Sequence, residues 1–244
     1  MNNYSPNGSI IEQAGSRVQT YMSHVYGWMT VGLLLTGFVA WYASTSVPIM
    51  RLLFSVNEYG YITSLSVLSW VLIAAQLGLV FVLSGMINRL SGSAATSIFM
   101  LYSALSGLTL TSIFIMYTAS SIMSVFFISA GMFAALAFYG YTTKRDLSGL
   151  GRFLFMGLIG IVIASLVNIF MQSTPLMWAI TYIGVFVFAG LTAYDTQKLK
   201  AFGEQLPTDD QNAFRRYAIF GALTLYLDFI NLFLMLLRIF GERR

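Results

Sequence analysis

The sequence predicts an all-α integral membrane protein with seven transmembrane helices. Three observations carry that prediction. Charge is scarce: 9% of the 244 residues are Asp, Glu, Lys or Arg, where a soluble domain carries about 25%. Apolar residues make up 57% of the chain. The few charges are also clustered. They leave long charge-free intervals that suit helices of about 20 residues, the length needed to cross a bilayer.

Residues 1–20 are polar and rich in Gly, Ser and Asn. They read as a flexible cytoplasmic tail ahead of a single domain at 21–244, with no cleaved signal expected. The interval 25–50 holds one span, near Val25–Ala43, ended by the polar run that reaches Pro48. The interval 59–88 holds a second, near Leu65–Met86. The interval 90–143 is too long for one helix and right for two. Its polar break at 117–121 separates spans near Ala94–Met116 and Ile122–Tyr141. The interval 153–194 divides in the same way at Gln172-Ser173-Thr174-Pro175, because proline stops a helix and the residues before it favour turns. Those spans lie near Phe153–Met171 and Leu176–Tyr194, and the seventh is Tyr217–Leu237. Gly107 and the pair Gly157 and Gly160 are candidates for close helix approach, against ordinary membrane-helix composition.

Lys and Arg are retained on the cytoplasmic side of membrane proteins. With the N-terminus inside, the inner side holds Arg17, Arg89, Lys144, Arg145, Arg152, Lys198, Lys200, Arg215 and Arg216, nine of the 13 basic residues. Arg51, Arg238, Arg243 and Arg244 fall outside. A re-entrant last segment would return the C-terminal Gly-Glu-Arg-Arg to the cytoplasm, so that topology stays open beside seven full spans.

Several function classes lose their chemistry here. There is no cysteine and one histidine, His24, so thiol catalysis, zinc-thiolate sites and histidine clusters are excluded. The net charge of +4 reflects loop bias rather than a nucleic-acid surface. No phosphate-binding loop, zincin or nucleophile-elbow motif occurs, and no enzyme and no cofactor are expected. An intramembrane aspartyl protease, which needs two carboxylates, stays open on physics alone.

The informative residues are the charges at or inside the spans: Arg89, Asp195, Asp228 and Arg238. A carboxylate near the middle of a span, such as Asp228, costs roughly 2.5–3.5 kcal/mol or more. An interhelical hydrogen bond returns only about 0.6 kcal/mol on average. A functional role is therefore favoured over helix packing, with Asn231 one turn away as possible support. Asp195 closes the sixth span beside hydroxyls and Gln197, which suggests a network. Arg89, Asp195 and Arg238 also have a plainer reading as interfacial anchors that reach the headgroups. Helix arithmetic leaves a vertical gap of roughly 10 Å between Asp195 and Asp228.

Two segments identify a family. Ala193-Tyr194-Asp195-Thr196-Gln197 and Leu225-Tyr226-Leu227-Asp228-Phe229-Ile230-Asn231-Leu232-Phe233 resemble signatures of the transmembrane Bax inhibitor motif family, in its bacterial YccA/YbhL branch. Lys144-Arg145-Asp146-Leu147, Asn168-Ile169-Phe170 and Leu236-Leu237-Arg238-Ile239-Phe240-Gly241 support the match, which covers roughly residues 20–241. The resemblance implies a seventh helix surrounded by the other six. It also implies a pH-sensitive calcium leak in the cell inner membrane. In that picture Asp195 and Asp228 share a proton and line the ion path, contributing calcium-binding oxygens, and Arg89 latches the pair. The second span has Gln76 and Gly78 where an acid would be needed to pair with Arg238, so an outer ion-pair gate is not expected. The competing reading is a non-conducting regulator of stress survival or of a membrane protease.

Overall fold

Inside a bilayer no water satisfies the backbone, so an apolar chain must pair its own peptide groups as helix. The computed structural model of the protein describes residues 6–57, 62–206 and 210–244. It begins with α1 (Pro6–Thr45), followed by a short α2 (Val47–Leu53) and the antiparallel strands β1 (Phe54–Val56) and β2 (Ile62–Leu65). Then come α3 (Val67–Gly85), a single 3-10 turn at Ile87–Arg89, α4 (Gly92–Met116) and α5 (Ala119–Thr142). The last three helices are α6 (Ser148–Met171), α7 (Thr174–Gln205) and α8 (Gln211–Phe240). Among the described residues, seven helices are long and apolar enough to cross a membrane: α1 and α3 to α8. The stretch expected as a flexible tail is helical from Pro6 onward, and residues 1–5 lie outside the described residues.

The expected breaks appear where side chains can cap them. The Ser66, Ser91 and Ser173 hydroxyls accept from the backbone N–H of Ser69, Ala94 and Leu176, which starts α3, α4 and α7. Gln172 ends α6 in the left-handed region (φ 50°). Pro48 follows the first span as expected, but it opens α2, and the α2–hairpin connection has no counterpart in the charge pattern.

Contacts divide the chain, expected as one domain, into two compact units. One comprises His24–Ala119, Pro207–Leu223 and Glu242–Arg244. Here Gly107 lets α4 lie against α1: a Cβ would stand 2.7 Å from the Thr36 carbonyl oxygen. Thr36 Oγ1 donates to Ser103 O across the same seam (2.8 Å). The start of α8 is tied to the α3–α4 connection and to the start of α4, with Tyr217 Oη on Asn88 Oδ1 (2.7 Å) and Arg215 Nε on Thr96 Oγ1 (3.0 Å). The residues after α8 pair with the far end of α4. Thr118 N donates to Glu242 O and Arg244 N to Met116 O, both 3.1 Å. α8 is unbroken over Gln211–Phe240 and long and apolar enough to cross a membrane, as the seven-span reading expects.

The other unit comprises Met1–Ser23, Ser120–Leu206 and Thr224–Gly241. Small residues set its spacings. A Cβ on Gly140 of α5 would collide with the Ala193 carbonyl oxygen of α7, and one on Gly151 would stand 2.5 Å from the Tyr194 ring. Of the two glycines noted on α6, Gly157 meets Val187 at 3.1 Å, whereas Gly160 faces open space. Burial differs sharply between helices. In α8, 61% of the apolar window is buried, against 11% in α3 and in α6. A charge is therefore most tolerable on α8, and α6 is left facing lipid.

Two outcomes follow from this architecture. Gly140→Val pushes a side chain into a backbone carbonyl and should cost about 1–3 kcal/mol, read as a lower melting temperature in detergent. Gly131→Ala, with nothing within 4 Å, should not lower it. The cysteine-free chain also permits single-cysteine labelling with an impermeant reagent. Ala119→Cys and Glu242→Cys should label from one side of the membrane and Ser93→Cys from the other. Labelling of Glu242→Cys and Ser93→Cys from the same side would overturn the full crossing.

Candidate functional site

The site lies in the unit built from α5, α6, α7 and the later part of α8. There the Asp195 and Asp228 side chains are in hydrogen-bonding contact. The sequence arithmetic misplaced the end of α7. The charge-free interval stops at Tyr194, but the helix continues to Gln205, so Asp195 lies ten residues inside it (205 − 195). Charge marks where the hydrocarbon ends, and a helix can run on into the interface. Asp228 lies seventeen residues into α8 (228 − 211). The remaining seven-residue offset along the two helices is about 10 Å.

Rotation of α8 about its axis decides whether Asp228 meets Asp195, and aromatic contacts to α5 set it. Phe229 packs edge-on against Phe126 (5.5 Å between centroids) and Phe133 (5.6 Å). Phe233, one turn on, also meets Phe126 (6.1 Å). Adjacent helical residues point about 100° apart, so holding Phe229 toward α5 leaves Asp228 turned toward α7. On α7, the close approach of Ala193 to Gly140 and of Tyr194 to Gly151 sets the phase of Asp195.

Asp228 is 5% exposed, and its Oδ2 is buried without a hydrogen-bond partner. Asp195 is half-buried. Two carboxyl groups can hydrogen-bond only if one carries a proton, because an ionised carboxylate is an acceptor alone. Both line a cavity of about 750 Å³ between α6, α7 and α8. Asn231 lines the same cavity, but its amide donates to Leu227 O of its own helix (2.8 Å).

The other candidate residues are placed as follows. Gln197 was expected to support Asp195. Its Oε1 instead accepts from Leu147 N (2.9 Å) and its Nε2 donates to Arg145 O (2.7 Å), so it ties the α5–α6 loop to α7. Thr196 is likewise occupied, donating to Thr192 O (2.7 Å). Arg238 is half-buried, and its Nη1 donates to Thr181 Oγ1 of α7 (3.1 Å), so it is drawn inward rather than out to the headgroups. Arg89 is exposed on the 3-10 turn of the other unit. Among the described residues no group of three or more His, Cys, Asp or Glu could hold a metal ion. Calcium prefers six to eight oxygens, roughly. Two carboxyl groups therefore suit a transient contact better than a resident ion.

Two site residues enter the sequence analysis only through the basic-residue count. Lys198 and Arg152 both line the carboxyl cavity, and Lys198 is close enough to Asp195 to act on its charge. The Asp195–Lys198 spacing of i, i+3 places both on one helix face and was visible in the sequence. Arg152 carried no such signal.

With this geometry in place, comparison with known proteins gives a consistent answer. Residues 18–244 match the model of a family described as inhibitor of apoptosis-promoting Bax1. The inner membrane protein YbhL of Escherichia coli K12 is 64% identical over 239 residues, covering 98% of each chain. An uncharacterized protein of Borreliella burgdorferi is 46% identical over 92% of each chain. An uncharacterized membrane protein of Streptococcus pyogenes serotype M6, M6_Spy0327, is 37% identical over 96% of this chain and 97% of its own.

Proposed function

Starting from the chain's membership of the Bax1 inhibitor family of membrane proteins, to which it belongs, we propose that it is a pH-sensitive calcium leak of the inner membrane. One observation carries this reading: two carboxyl groups, Asp195 and Asp228, meet inside apolar helices and line a cavity. Its physics runs in three steps. Two carboxyls in contact in a poorly hydrated place cannot both ionise cheaply, so they hold one proton and titrate as a unit. Loss of that proton removes the hydrogen bond and leaves two like charges, which opposes the α7–α8 contact. Carboxylate, amide and hydroxyl oxygens from Asp195, Asp228, Asn231 and Thr224, all on the cavity wall, offer a passing calcium hard ligands without a closed cage, and weak binding is what conduction needs.

The inner-membrane placement extends what is said of the Escherichia coli relative, with the N-terminus cytoplasmic by the basic-residue count. Arg89 is assigned the latch role from the family resemblance. The proposed role is transport and not catalysis: calcium and protons are cargo and signal, and a membrane protease is the partner of the competing, non-conducting reading.

The decisive measurement is calcium flux into liposomes holding the purified chain, compared at about pH 6 and about pH 8, on either side of neutrality. Asp195→Asn and Asp228→Asn should each bring the ratio of the two fluxes close to one. The double variant should add little, because the pair is one titrating unit. A normal pH response in both single variants rejects the shared proton. Absence of flux at any pH, with a membrane protease co-purifying, supports the regulator instead.

Arg89→Ala should raise basal flux several-fold. Arg89→Lys should restore restraint only in part, because lysine lacks the planar fork that grips a carboxylate. Unchanged flux in Arg89→Ala makes Arg89 an interfacial anchor only.

A further inference from the structure

A second cavity adjoins the first and has the opposite character. It encloses about 500 Å³ at the end of α7, under the α5–α6 loop. Lys144, Arg145 and Lys198 contribute three positive charges to its wall and Asp146 one negative, a balance of +2 (3 − 1). Asp146 is committed elsewhere. Its Oδ1 accepts from Ser148 N (2.8 Å) at the start of α6, and hydrogen bonds from the Ser148 side chain first and its N–H second hold its carboxyl below the usual range. The cavity is rigidly built, because Gln197 pins both Arg145 and Leu147, and Lys200 Nζ donates to Tyr141 O (2.9 Å).

Tyr194 and Lys198 line both cavities and so form their common wall. The larger cavity runs along α7 from Phe188 to Lys198, about 15 Å at the helical rise. Its sides are mostly apolar, with Phe155, Leu158, Phe188, Leu191 and Leu227 among them. It borders α6, the helix left open to lipid, where Phe155 is 58% exposed. A basic, polar pocket at the membrane boundary joined to an apolar groove beside lipid suits a molecule with an anionic head and a hydrocarbon tail. A free anion would use only the first cavity and a neutral hydrocarbon only the second.

We propose that this pair of cavities is a binding site for an anionic phospholipid of the leaflet on the α5–α6 loop side. The phosphodiester lies among Lys144, Arg145 and Lys198, and one acyl chain lies past Tyr194 along α6 and α7. Basic pockets between helices at one membrane face hold anionic headgroups by charge, at about 1 kcal/mol for each Lys or Arg. The apolar groove retains the chain. The site stands whether or not the carboxyl pair conducts calcium.

The test is native mass spectrometry of the purified full chain from neutral detergent, titrated separately with dioleoylphosphatidylglycerol and dioleoylphosphatidylcholine. One phosphatidylglycerol should be retained per chain, at least about tenfold more strongly than phosphatidylcholine. The double variant Lys144→Gln/Arg145→Gln, changed only at exposed loop side chains, should lose most of that preference. Arg243→Gln/Arg244→Gln, at the opposite end of α8, should keep it. Equal retention of the two lipids, or full retention by the loop variant, overturns the proposal. Displacement by inorganic phosphate as effective as by phosphatidylglycerol also overturns it, leaving a simple anion pocket.

Discussion

The structure depends on the contact between two carboxyl groups in an otherwise apolar bundle. A lone ionised Asp228 in hydrocarbon is costly enough to be lost unless protein surrounds it and something shares its charge or its proton. Both conditions are met. α8, the most enclosed helix, carries it, and Asp195 reaches it from α7. Beyond Asp195, no other group among the described residues hydrogen-bonds to the buried Oδ2 of Asp228. An unsatisfied buried oxygen costs about 1–3 kcal/mol, more when charged. Stability alone gives no reason to keep such an atom. Under the proposed function, that oxygen is where a proton is exchanged or a passing ion is met.

Much of the remaining design holds those two side chains in register. Phe229 and Phe233 fix the rotation of α8 against α5, while Gly140 and Gly151 let backbones approach so that α7 presents Asp195. Without a hydrophobic driving force between helices in lipid, close packing and polar contacts must supply association. In the unit that holds the site, polar contacts between elements sit toward the helix ends: Gln197 on the α5–α6 loop, Lys200 on Tyr141 O, Arg238 on Thr181. The ends are therefore stitched while the middle around Asp228 keeps a cavity. A helix pair held this way can shift at mid-depth without losing its anchors.

The spans were legible because hydrocarbon excludes charge, so charge-free length reports the crossings directly. Helix length is a different quantity. α7 runs on past the end of the charge-free interval, and for that reason Asp195 reads as terminal in the sequence when it is internal to the helix. The hairpin after α2 left no trace, because short strands outside the membrane need neither charge nor strong periodicity. The aspartate motifs pointed to the pair, but their meeting depends on helix rotation and stagger, which spacing alone does not encode. Gln197 shows the converse error. Proximity in sequence to Asp195 suggested a partner, yet its neighbour on the helix surface is the α5–α6 loop.

Lys198 links the two readings of the site. It stands three residues beyond Asp195 on the same helix, about 4.5 Å farther along the axis toward the boundary, and Arg152 shares the cavity with it. A cation entering from that end meets two positive charges before the carboxyl pair. At an effective dielectric of about 20, unit charges 4 Å apart repel by about 4 kcal/mol, and a divalent ion by about twice that. An empty mouth of this kind opposes calcium. A phosphodiester held against Lys198 cancels part of that barrier, while its acyl chain reduces the water available to the carboxyl pair. The proposed lipid would thus lower the charge barrier at the entrance while its chain competes with a passing ion for the cavity beside the carboxyl pair. If both proposals hold, lipid occupancy and the shared proton are thermodynamically linked, each altering the affinity for the other by the same factor.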